Sequence, residues 1–374
     1  MNYVKKKELI QLLDRVSEID KIVFETVNGE EYAASNEDIL VEGLREPFQK
    51  LIPKTTWTKY DYAIKYGQLT LLGIQKDADG QSQLIIGIDE EETTFITTTE
   101  ALFQLFERIH MGNYSSFLME SDENFDLLNY NFKYWFKGKL ADTDVLLRTV
   151  IEKGQPIARC FASQRYQQID NHILMYCTVW ALDTLKFNFK LTSQKVMHSS
   201  MKLSFESDKI FDIDGIGKLS YGFSVINSES KSHSVELLPT CNIQNVDGTR
   251  VSIILDRTIK IRHLGNSIEP VIKKILELKH LPEHVERAIE VIISVKNEKI
   301  NPFLAYKIQQ SLIDIIGKKA FSTYIDKYTQ VSSENTYSLL EFFGRLHEIP
   351  VQNEDKQILI ESLYWSTLNS FSKK

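Results

Sequence analysis

The segment "VLLRTVIEKGQPIARCFASQRYQQIDNHILMYCTVWALDTL", residues 145–185, decides the class of fold. Its first part, "VLLRTVIEKGQPIARCFAS", reads as a strand, a glycine-containing turn and a second strand. Its last part, "NHILMYCTVWALDTL", is apolar and long enough for a buried helix. Between the two lies a polar knot, "QRYQQID", too rich in hydrogen-bonding groups for an ordinary loop. Strands running directly into a buried helix predict an α+β protein, with one or two packed sheets and flanking helices.

Upstream, apolar residues Ile10, Leu12, Leu13, Val16 and Ile19 recur at helical spacing and predict a first helix over Lys5 to Ile19. In "KIVFETVNGEEYAAS" the Asn28-Gly29 pair predicts a β-hairpin. Residues Thr56 to Thr98 are strand-like, with a turn at Asp79-Gly80. Thr99 then caps a helix whose apolar stripe is Leu102, Leu105, Phe106 and Ile109. A further helix is expected within "NFDLLNYNFKYWFKGKL". Downstream, strands resume from about Phe187 to Ile261, with turns at "DIDGIG", "NSESKS" and "NVDGTR". Beyond Gly265 helical periodicity takes over, with prolines near helix starts. No repeat of fixed period emerges. The expected division is 1–94 as a β-rich N-terminal region, 95–264 as an α+β core and 265–374 as an all-helical C-terminal unit.

The 374-residue length favours two or three domains. A 43% hydrophobic and 25% charged composition, with 8 prolines and 16 glycines, predicts order nearly throughout. The net charge of -7 repels phosphate backbones on average, so nucleic-acid binding requires a local basic patch. Three cysteines, Cys160, Cys177 and Cys241, without CxxC spacing, argue against a disulfide framework and a structural zinc site. The N-terminus lacks the continuous apolar core of a signal peptide, and no apolar run reaches membrane-spanning length. A cytoplasmic protein is expected.

Between Phe95 and Gly248 a set of landmarks recurs in one order. They are "ITTTEALFQLFERIHM", "GNYSSFLME", "DLLNYNFKYWF" and Leu147-Arg148-Thr149. The knot follows with Ser163, Arg165, Tyr166, Asp170 and Asn171, and a strand-ending turn with Gly222, Asn227, Ser228 and Glu229. This series resembles the phage/plasmid-like proteins grouped as domain of unknown function 932. The resemblance implies origin in a phage or plasmid, and hence the cytoplasm of a bacterial host. It implies no reaction.

Four places invite a functional reading. In the knot, the Asp170 or Asn171 side chain suits a helix N-cap, while Arg165 pairs with an acid and Tyr166 packs its ring. The rival reading makes Arg159 and Arg165 phosphate ligands near a helix start. "NFKYWFKGK" mixes aromatic rings with Lys133, Lys137 and Lys139, as single-strand binders do, yet Phe132, Trp135 and Phe136 on one helix face read as core. Tyr134 is the candidate stacking residue. "HLPEH", His280 to His284, matches a zinc-peptidase pattern, but Pro282 puts His280 before the helix start, so no metal is expected. The stretch 250–280 gathers Arg257, Lys260, Arg262, Lys273 and Lys274, the best basic patch, although a solvated surface is the stronger reading of it.

No nucleophile elbow and no phosphate loop is present, so catalysis is the weaker class and no cofactor is expected. The leading expectation is a phage or plasmid accessory protein that binds nucleic acid, single-stranded DNA or RNA, in replication or recombination. The alternative is a protein-interaction module of a mobile element acting on a host or phage protein, as in host takeover or counter-defence, with a homo-oligomer allowed. A third is an enzyme acting on nucleic acid around Arg159, Arg165 and Asp170.

Overall fold

The computed structural model describes residues 3–77, 80, 82–89, 93–120, 124–185, 187–197, 199–230, 234–255, 259–261, 268–323, 328–329, 332, 337–347 and 354–372. Along the chain the strands are β1 (Val41–Glu42), β2 (Thr58–Lys65), β3 (Leu69–Lys76), β4 (Ser82–Ile88), β5 (Thr94–Thr97), β6 (Asp144–Glu152) and β7 (Gln155–Ala162). They continue as β8 (Phe189–Val196), β9 (Ser200–Ile213), β10 (Gly217–Ser228), β11 (Val235–Asn245), β12 (Arg250–Ile254) and β13 (Ile259–Ile261). Among the described residues they make two mixed sheets. One runs β2-β6-β7-β5-β4-β3, the other β1-β8-β9-β10-β11-β12 with β13 beside β11. The protein is α+β, as its sequence predicts.

The deciding segment folds as read. Lys153 and Gly154 both have positive φ, 52° and 83°, the geometry of a two-residue hairpin turn between β6 and β7. Asn171–Leu185 is a helix buried on nearly all sides. Its Ile173, Tyr176 and Val179 share a core with Leu203 and Phe205 of β9, Tyr221 and Phe223 of β10 and Leu237 of β11.

The N-terminal hairpin is corrected. Residues around Asn28 form two helices, Glu18–Thr26 and Gly29–Ala34, with Asn28 left-handed at φ 49° between them. Asn-Gly serves a helix junction as well as a hairpin, because both need a residue tolerant of positive φ. Gly29 is required by contact, since a Cβ there would fall 2.3 Å from the Phe24 ring. The first expected helix is also shorter: Lys6–Leu9 passes into a 3₁₀ turn at Ile10–Leu12, and Ser17 caps the next helix by accepting the Asp20 N–H. The helix after β5 is capped by Thr98 rather than Thr99, its hydroxyl accepting the Ala101 N–H at 3.1 Å.

These helices alter the expected division. Val4 to Leu51 pack with the Asn171–Leu185 helix on the larger sheet, so the first fifty residues contribute helices to that core rather than a β-rich region. Position 94 opens β5, which pairs β4 before it and β7 after it, and the smaller sheet runs through that boundary. The C-terminal part is helical as expected. Its core is shared, however: Ile292, Leu312, Phe342 and Tyr364 pack on Leu219, Ile243 and Val251 of the larger sheet. The smaller sheet carries its own helical layer, with Phe106, Phe132 and Phe136 over Ile86, Phe95 and Leu147. No helix of the described residues is long and apolar enough to cross a membrane.

Candidate functional site

The knot and the β10 landmarks meet in one buried polar seam between the smaller sheet and the Asn171–Leu185 helix. Arg148 on β6 lies cross-strand from Asp61 on β2, and their ion pair is 3.1 Å. Lys59, two residues earlier on β2, reaches Asp170 at 2.5 Å. Arg148 also donates to the Glu229 carbonyl at 3.0 Å, lies 3.9 Å from Asp170 and stacks over the Tyr166 ring. On β7, the Arg159 guanidinium donates to one Glu229 carboxylate oxygen, and the other oxygen accepts the Asn171 N–H at 2.8 Å. Asn227 donates to the Ile169 carbonyl and to the Asn171 side chain, both at 2.9 Å, while the Tyr166 hydroxyl donates to the Ser228 carbonyl at 3.3 Å.

The energetic logic is charge matching in a dry place. Arg148, Arg159, Asp170, Asn171, Asn227, Ser228 and Glu229 are each no more than 5% exposed, and a buried charge is tolerated only when paired and hydrogen-bonded. Burial would push the Asp170 carboxyl up, but Lys59, His172 and Arg148 hold it well below the usual range. Glu229 is likewise raised by burial and by Asp170, yet Arg159, Lys59 and the Asn171 N–H outweigh both. Its carboxylate at the first turn of the helix also opposes the helix dipole favourably.

This geometry corrects the readings of the knot. The helix is capped from a distance by Glu229, because the Asp170 carboxylate is turned to Lys59 and Gln168. The arginine that meets Asp170 and Tyr166 is Arg148. Arg165 is exposed, as is Ser163, whose carbonyl accepts the Tyr166 N–H. Arg159, 2% exposed, meets Glu229 through one guanidinium nitrogen and is not open to solvent.

The basic patch is described only in part. Lys260 on β13 is exposed and paired with its cross-strand neighbour Glu236 at 2.7 Å. Lys273 and Lys274 are exposed on the Glu269–Ile275 helix. Arg257 and Arg262 lie outside the described residues. His280 ends the 3₁₀ turn Leu276–His280 and precedes the Leu281–Ser294 helix that carries His284. Cys160 and Cys177 are core residues, and burial pushes the thiols of Cys177 and Cys241 up to about 12, far from a reactive thiolate.

The aromatic-lysine stretch behaves differently. Helix Phe125–Phe132 continues through a wider π turn over Lys133–Lys139, an irregularity frequent at functional sites. Phe132 and Phe136 stack at 5.1 Å and are buried, and Trp135 packs against the same core. The opposite face exposes Tyr130 at 68% and Tyr134 at 50%, one turn apart, with Lys133 and Lys137 beside them. Lys139 lies 4.5 Å from the Trp135 ring centre and 5.2 Å from that of Tyr134, and Lys137 pairs loosely with Asp89 at 3.3 Å. This ledge presents two phenol rings among ammonium groups to solvent. Tyr130 was not foreseen; its signal is the Phe132/Phe136 stripe, which leaves residues two positions away on the outer side. No family model, curated protein or solved structure matches the chain.

Proposed function

We propose that the protein binds single-stranded nucleic acid along the Tyr130–Tyr134 ledge. One observation carries the reading: two exposed tyrosines at i and i+4 share a face with Lys133 and Lys137. Base stacking on an aromatic ring is indifferent to sequence, and adjacent ammonium groups neutralise phosphates. A net charge of -7 does not oppose this, because the phosphate chain responds to local charge within a Debye length of about 8–10 Å. The resemblance of the landmarks to the phage/plasmid-like family supports a setting, a mobile-element factor acting in replication or recombination.

The test is anisotropy of a labelled oligothymidine across a salt series. Binding is expected to weaken with salt at a log–log slope of roughly -2 if three lysines contact phosphates. Replacing Lys133, Lys137 and Lys139 by Gln should flatten that slope. Absence of binding at low salt would remove the reading.

A second reading, a protein-interaction module, is favoured by a groove of about 710 Å³ on the outer face of the larger sheet. Lys190, Lys218 and Arg250 there alternate with Glu42, Glu206 and Asp208, a mixed-charge lining that suits a protein surface better than a polyanion. Co-purification of a partner whose capture is lost on reversing Lys218 and Arg250 to Glu would support it.

A further inference from the structure

The Glu354–Ser372 helix carries a carboxyl group that the fold leaves without a matched cation. Glu361 is half-buried and forms no ion pair among the described residues. Its hydrogen-bond partner is the Gln357 side chain one turn earlier, whose Nε2 donates to the Glu361 Oε1 at 3.0 Å. The same Nε2 lies 3.2 Å from Nδ1 of His347, the last residue of the Leu339–His347 helix. An amide nitrogen that donates both ways needs a bare Nδ1, so the imidazole is neutral with its proton on Nε2. His347 in turn lines the groove of about 710 Å³.

The neighbours of Glu361 along the helix are packed. Ile358 lies on Ile226, Leu238 and Ile254 of the larger sheet, while Ile360, Tyr364 and Trp365 are buried in the C-terminal core. Burial pushes the Glu361 carboxyl up to about 7, against the Gln357 hydrogen bond and the Lys202 ammonium of β9, which lower it. Burial also pushes the His347 imidazole down, and burial first and the Glu361 charge second push the Tyr364 phenol up. Other charges are held elsewhere: Arg345 pairs with Asp247 at 3.2 Å, and Lys356 donates to the Ile316 carbonyl at 2.9 Å. On the elements packed against this helix, Arg250 of β12, Glu286, Arg287 and Glu290 of the Leu281–Ser294 helix, and Lys307 and Asp314 of the Pro302–Ile316 helix are exposed.

We infer that Glu361 is a proton-operated latch: the neutral acid, tied through Gln357 to His347, seats the Glu354–Ser372 helix on the larger sheet, and loss of the proton loosens it. A carboxylate in a packed place without a matched cation is costly, and opening returns it to water. The folded value lies above the ordinary 4.5, so the stability Glu361 contributes is full below about pH 4.5 and is lost as the pH rises to about 7. Across that span opening of the helix releases one proton and becomes about tenfold more frequent per pH unit. His347 opposes this in part, since its lowered value makes opening take up a proton below the ordinary 6.5. The inference stands apart from both readings of function, since it involves no ligand.

Hydrogen exchange of the amides of residues 357–365 in the full chain, followed by mass spectrometry from pH 5 to 8 and corrected for intrinsic rates, tests it. Glu361→Gln keeps the side-chain shape and cannot ionise, so the ratio of opening in the parent to opening in this variant cancels the contribution of His347. That ratio should rise roughly 40-fold between pH 5 and 7 and level off above. In the parent alone, carbon-13 NMR of the Glu361 carboxyl should give a midpoint of about 7, and nitrogen-15 shifts should place the neutral His347 proton on Nε2. Lys202→Gln should move the Glu361 midpoint higher still, because it removes a charge that favours the carboxylate. A midpoint at the ordinary 4.5, a ratio that stays flat with pH, or a neutral His347 protonated on Nδ1 would each overturn the inference, and the first and third need no variant.

Discussion

The seam and the ledge draw on the same kinds of side chain and put them to opposite uses. In the seam, Arg148, Arg159 and Tyr166 are buried, and each polar head meets a partner fixed by another element. In the ledge, Tyr130, Lys133 and Tyr134 point outward. The planar guanidinium suits the dry site because it divides its donors among several acceptors, and the strongly hydrated ammonium suits the wet one. The difference teaches that a conspicuous polar motif is as readily the place where a fold satisfies its own charges as the place where it meets a ligand. Burial and partnership decide between the two.

The largest expected effect breaks the seam. Glu229→Ala would leave the Arg159 guanidinium buried without its carboxylate and free the Asn171 N–H, costing roughly 3–5 kcal/mol. Urea unfolding measures this. Replacing the pair together, as Arg159→Met with Glu229→Leu, should cost less than Glu229→Ala, because no charge is stranded. A single variant as stable as the parent would show that the seam holds nothing together.

Acid should act on the same contacts. Asp170 and Glu229 titrate below their ordinary values of 3.8 and 4.5 in the folded chain. Unfolding therefore takes up protons as the pH falls through that range, so the stability they contribute is present above about pH 5 and is lost progressively below it. Melting temperatures at pH 7, 5 and 4 should fall more steeply between the last two, and the doubly apolar variant should show a shallower decline. Equal declines would separate acid sensitivity from the seam.

The ledge should respond in the other direction, losing binding and keeping stability. Tyr130→Ala and Tyr134→Ala each remove one stacking platform, worth roughly 1–3 kcal/mol per base, or about tenfold in affinity for a single strand. Their unfolding free energies should stay within about 0.5 kcal/mol of the parent, since neither ring is core. A tyrosine variant that binds normally would sink the stacking role while leaving the seam untouched.

What was legible in the sequence follows from range. The β6–β7 hairpin and the Asn171–Leu185 helix could be read because turn chemistry, alternation and an apolar run are local signals. Asn28-Gly29 misled because the same pair fits a hairpin or a helix junction, and the choice was made by the burial of Val23 and Val27 before the junction and Tyr32 after it. The seam was half legible: its members stood out, but the Arg159–Glu229 partnership spans 70 residues, and no local pattern specifies it. Tyr130 was legible in principle. Each helical residue turns roughly 100°, so a residue two places from the buried Phe132 lies about 200° round and faces water.

The smallest expected effect tests the patch that composition favoured. Lys260 is 61% exposed at its side chain and already paired with Glu236 across the strands. An exposed pair of this kind contributes about 0–1 kcal/mol, so Lys260→Gln should shift stability by less than about 0.5 kcal/mol. If the ledge is the binding surface, the same substitution should leave both affinity for single strands and the salt slope unchanged, because β13 and the π turn belong to different sheets' surroundings. A slope that flattens on Lys260→Gln would move the phosphate path to β13 and the Glu269–Ile275 helix. The tyrosine ledge would then be a second exposed aromatic face whose partner is not a nucleic acid.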